Sequence, residues 1–113
     1  MLNKKNQTMS VHEIKRKELA EQVMHIWRDV MLAIEDTYAG EQMIAMLPHG
    51  WLREDAEYEQ NNARLDLYNL IVRYDEARLN LRNYCINHGL PQGEWKDGLT
   101  MMREHLRQAI FNK

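Results

Sequence analysis

The stretch from Trp51 to His88 reads WLREDAEYEQNNARLDLYNLIVRYDEARLNLRNYCINH, without a glycine or a proline. Ala63, Leu67, Leu70, Tyr74, Ala77, Leu81 and Tyr84 follow one another by steps of four and three, which keeps them all on one face of a helix. A second set, Tyr58, Leu65, Val72, Leu79 and Ile86, recurs every seven residues. At about 100° per residue it lies roughly 160–200° around the helix from the first. An ordinary surface helix needs a single apolar face. This one must be covered on two sides, either as the central member of a bundle or by giving its second face to another chain.

Working outward, residues 48–50 (Pro-His-Gly) break the chain before this helix, while Gly89 is placed for a left-handed cap after it and Pro91 prevents its continuation. The polar run Gln60, Asn61 and Asn62 is a poor helix interior and marks a candidate kink. Upstream, Ser10 and Glu13 form an S-x-x-E capping box. From there Leu19, Val23, Ile26, Val30 and Ile34 make a stripe, widened by Ala20, Met24, Trp27 and Met31, and predict a helix over residues 11–36. Gly40 reads as its stop, and residues 41–47 (EQMIAML) as a short separate helix. Downstream, Trp95, Leu99, Met102, Leu106 and Ile110 share one face of a last helix. Residues 1–9 have no periodicity and are expected to be a flexible leader to a single helical domain over residues 10–113.

These elements predict an all-α fold, an elongated antiparallel bundle of three main helices plus one short one. A helix over residues 56–87 would be about 48 Å long. A compact domain of this length has a diameter of only roughly 34 Å. The long helix therefore elongates the bundle, breaks near Gln60, or packs its overhang on a second copy. Two apolar faces favour a homodimer, with Tyr58, Leu65, Val72, Leu79 and Ile86 as its interface.

The chain has 113 residues, 44% apolar and 28% charged, with a net charge of −2, which fits a folded globular protein and excludes wholesale disorder. Charge is segregated: residues 1–28 carry a net +3, residues 29–59 a net −7 and residues 60–113 a net +2. The single cysteine, Cys85, forbids an intramolecular disulfide and reads as a small buried hydrophobe. The polar N-terminus lacks the apolar core of a signal peptide and no run is long enough to span a membrane, so the expected location is cytoplasmic.

Chemistry-bearing patterns are sparse. The five histidines, His12, His25, His49, His88 and His105, are never closer than thirteen residues, whereas helical metal pairs need a spacing of three or four. Glu54 and Glu57 share a face, as paired acids do in helical magnesium-dependent pyrophosphatases, but Asp75 and Glu76 are adjacent and do not complete such a cage. No metal or cofactor is expected. Lys15, Arg16 and Lys17, with Lys4 and Lys5, make a basic arm without interleaved aromatics, and direct nucleic-acid binding by a basic-arm regulator ranks third among the functions considered.

The segment Arg82-Asn83-Tyr84-Cys85-Ile86-Asn87-His88 resembles the R-x4-6-H signature of HEPN ribonucleases, small all-helical domains that work as dimers. The resemblance implies metal-independent RNA cleavage in which Arg82 stabilises the phosphate and His88 takes part in proton transfer. That is the alternative function. The leading one is non-enzymatic: an adaptor, inhibitor or regulatory subunit that binds another protein, with Glu54, Asp55, Glu57 and Glu59 facing a basic partner surface such as that of a nucleic-acid-binding protein. The size and composition also suit an accessory protein of a phage or plasmid.

Overall fold

The computed structural model describes the backbone of residues 10–111 and the side chains of residues 10–108, so the expected leader over residues 1–9 and the side chain of Ile110 lie outside the described residues. The fold is all-α. Helix α1 (Val11–Met46) and helix α2 (Trp51–His88) form a long antiparallel hairpin, and the shorter α3 (Gly98–Phe111) lies against both. The molecule measures 73 × 26 × 20 Å with a radius of gyration of 19.6 Å, well above the roughly 13 Å of a compact domain of this length. Elongation, rather than a break in the helix, accommodates α2, which is about 57 Å long.

The first stripe is the core face. Tyr74 and Leu81 are fully buried, Leu67, Leu70 and Ala77 are partly so, and Ile71 and Cys85 flank them. They meet Val23, Val30 and Ile34 of α1, with Leu19, Ala20, Ile26 and Trp27 around the margin. Met24, expected to widen the α1 stripe, is instead exposed. The ends are built as the sequence predicts. The Glu13 N–H donates to the Ser10 hydroxyl at 3.1 Å. Gly89 adopts φ +65°, which frees the Leu90 N–H to donate to the Cys85 carbonyl at 2.9 Å and closes α2.

Two expectations are corrected. Gly40 does not stop α1, and residues 41–47 form no separate helix: α1 runs through to Met46. The missing side chain at Gly40 has a different consequence. A Cβ at Gly40 would lie 2.8 Å from Cδ and 2.9 Å from Nε2 of Gln60, so its absence makes a notch for that amide. Gln60 Nε2 donates to the Thr37 carbonyl at 2.7 Å and to Glu41 at 3.1 Å, and the polar run at Gln60 does not split α2.

The second correction concerns the last helix, which begins at Gly98, not before Trp95. Asp97 caps it, accepting from the Thr100 N–H and hydroxyl, each at 2.9 Å, and these bonds hold its carboxyl below the usual range. Trp95 packs on the core from the preceding loop, together with Leu90, while Leu99 is half exposed. Asp75 fixes the start of α3 by accepting from the Gly98 N–H at 2.9 Å, and the Tyr74 hydroxyl donates to the Lys96 carbonyl at 2.9 Å. Burial pushes the Tyr74 phenol up, so it remains the neutral donor this bond requires.

Candidate functional site

The turn between α1 and α2 gathers the acidic residues. Because the segment of net −7 straddles this turn, its charges fall on both helices around one end of the rod. Glu54, Asp55, Glu57 and Glu59 occupy the first turns of α2 and are all exposed. Acids are favourable there because the helix N-terminus carries partial positive charge. Arg53 takes up Glu57 at 3.5 Å and also donates to the Leu47 carbonyl at 3.3 Å. Glu54, Asp55 and Glu59 have no ion-pair partner among the described residues.

Arg64 forks onto Glu41, with Nε donating at 2.9 Å. This pair holds the Glu41 carboxyl below its ordinary range and joins the Gln60 latch to make a polar clasp between the helices. The end beyond the clasp also carries apolar groups with nothing to cover them: Met46 is 84% exposed and Trp51 74%, with Leu52 beside them in sequence. Trp51 and Leu52 belong to neither apolar stripe read in the sequence of α2. The turn end is therefore a knob that carries exposed apolar groups as well as carboxylates.

The second stripe of α2 is uncovered. Tyr58, Leu65, Val72, Leu79 and Ile86 are between 37 and 73% exposed among the described residues. Beside Val72, a cleft of about 370 Å³ between α2 and α3 is lined by Tyr68, Ile71, Leu99 and Met102, which extends the apolar surface sideways.

Arg82 and His88 fall in different surroundings. Six residues apart on a helix, they project about 120° from each other. Arg82 lines a cleft of about 390 Å³ with Arg78, Trp95 and Lys96. His88 stacks on His12 with ring centroids 4.0 Å apart, and His12 Nδ1 is 2.9 Å from the Tyr84 hydroxyl. This cluster ties the start of α1 to the end of α2. The sequence could not announce it, since His12 and Tyr84 are 72 positions apart. Within one chain the arginine and histidine of the ribonuclease motif thus share no cleft.

Lys15, Arg16 and Lys17 occupy consecutive positions near the start of α1 and fan around it, Lys15 and Lys17 exposed and Arg16 half-buried. Lys4 and Lys5 lie outside the described residues. Asp75 is engaged by Gly98 and by Arg78 at 3.3 Å. Among the described residues no three histidine, cysteine, aspartate or glutamate side chains are grouped to hold a metal ion, and no helix is long and apolar enough to cross a membrane. In comparisons with known proteins, no family model, no curated protein and no solved structure matches the chain.

Proposed function

We propose that this protein acts by binding, not by catalysis, and that the acidic end of the hairpin docks onto a basic surface of another protein as an adaptor or inhibitor would. The observation that carries the reading is the combination at that end: Trp51, Leu52 and Met46 stand exposed near Glu54, Asp55 and Glu59, which have no ion-pair partner among the described residues. Exposed tryptophan supplies contact energy in an interface, since large aromatics dominate binding hot spots. Unpaired surface carboxylates add little to folding but raise the rate of encounter with a cationic surface. These two parts suit a chain that covers the basic groove of a nucleic-acid-binding protein.

The test compares the native chain with the variant Glu54→Gln, Asp55→Asn, Glu57→Gln, Glu59→Gln in capture from a cell extract at low and high salt. The native chain retains a specific protein at low salt and releases it as salt rises, and the neutralised variant retains far less while melting within a few degrees of the native chain. Equal retention by both chains would overturn the reading. Trp51→Ala gives a second arm, expected to speed dissociation while leaving the salt dependence in place.

A further inference from the structure

The face of α2 opposite the core carries Tyr58, Leu65, Val72, Leu79 and Ile86, all exposed along about 42 Å of helix. A row of this length running the middle of a folded chain is unusual for a monomer, whose exposed apolar residues are normally scattered. We propose that its occupant is a second copy of this chain, packed antiparallel on a two-fold axis that crosses α2 at Val72.

Two features select that occupant. The first is self-complementarity, which a two-fold interface requires. The stripe is symmetric in spacing about Val72, so the axis sets Leu65 of one copy against Leu79 of the other and Tyr58 against Ile86. The seven-residue period is that of helices that wrap around one another, so the facing rows stay in register along their length. Leu99, which lines the same cleft as Val72, then lies near the axis and widens the apolar centre.

The second is charge. A parallel pair would set two segments of net −7 side by side, within about one Debye length of roughly 8 Å. The antiparallel pair places the two acidic ends at opposite ends of the rod, each nearer to residues 60–113 of the other copy, which carry a net +2. Like charges are separated and unlike charges approach, which favours this orientation and steers it during encounter.

The geometry leaves the knob free. Gly50 is twenty-two positions from Val72 and His88 sixteen, so the turn of each copy extends past the end of the other's α2 by about 9 Å. The pair is a two-ended rod with one acidic knob at each end. This inference concerns a different face from the proposed binding function and stands or falls separately from it.

The test uses the full chain. Light scattering is expected to give twice the 13.6 kDa chain mass. The double variant Val72→Glu, Leu79→Glu is expected to give the single-chain mass with the helical circular dichroism of the native protein. Orientation is read by disulfide cross-linking in a Cys85→Ala background. Val72→Cys cross-links to itself; Tyr58→Cys and Ile86→Cys do not do so alone but cross-link to each other when mixed. A single-chain mass for the native protein, an unchanged dimer mass in the double glutamate variant, or self-cross-linking of Tyr58→Cys and Ile86→Cys without mixing would each overturn the proposal.

Discussion

The two ends of this rod are made of the same pair of helices, yet they solve the burial problem in opposite ways. The loop through Leu90 and Trp95 lies over the hairpin toward the open end, α3 continues over its middle as far as Arg64 and Glu35, and Val23, Val30, Tyr74, Leu81 and Cys85 are sealed from water. Beyond the clasp, the described residues place no third layer at the turn. Two helices alone cannot enclose large side chains, so the interior there shrinks to Ile44 and the Gln60 amide in its notch, and Met46, Trp51 and Leu52 remain outside. The difference assigns tasks: apolar residues of the covered part hold the fold together, whereas those at the turn are available to a partner.

The sharpest way to break this comparison is to make the same deletion on both sides of it. Leu81→Ala empties a fully buried site and is expected to cost about 2–5 kcal/mol, a large share of the stability of a small domain. Leu52→Ala, at an exposed position, should stay within about 0.5 kcal/mol. Chemical denaturation measures both, and equal costs would erase the distinction.

A smaller effect separates the two tight glycines. A Cβ at Gly98 would sit 2.7 Å from Ile71 Cγ2 and 3.4 Å from Tyr74, in the packed region where neither neighbour can withdraw. Gly98→Ala is expected to destabilise by roughly 1–3 kcal/mol. At Gly40 the obstacle is the end of a flexible side chain, and Gln60 can swing out to water. Loss of its hydrogen bonds is then offset by the better helix propensity of alanine, so Gly40→Ala should fall within about 1 kcal/mol of the native chain. A thermal melt of each variant checks the order.

Smallest is the response to acid, which touches both regions. The carboxyls of Asp97, at the start of α3, and Glu41, in the clasp near the turn, are both held below their usual values by hydrogen bonds. A carboxylate with a lowered folded pKa contributes its full stabilisation above its unfolded value, near about 4. That contribution is lost as pH falls through the folded value. Melting temperature should therefore drop below about pH 4, and the drop should shrink in Asp97→Asn and in Glu41→Gln. A pH profile unchanged in both variants would remove these groups from the account.

Much of this was legible in the residues. Steps of four and three mark the core face of α2, and seven-residue steps mark its exposed face. Ser10, Glu13 and Gly89 marked their helix ends because capping is local chemistry. What escaped depended on pairing across the hairpin. Gly40 looked like a stop because the residue that needs its missing Cβ, Gln60, is twenty positions away on the other helix. Asp75 reads in the sequence only as half of an adjacent acidic pair, because its partner, the Gly98 N–H, arrives only when α3 folds back. The start of α3 could have been found: Asp97 three residues before Thr100 is a capping pattern, and it outweighs the periodicity that drew Trp95 into the helix.

Hydrogen exchange along α2 tests the division of labour most directly, since one continuous helix passes through both environments. Amides of residues 66–85 should exchange only through global unfolding, and those of residues 55–60 much sooner through local opening of the end beyond the clasp. Equal protection along the whole helix would contradict the account, because the turn end would then be as firmly held as the core.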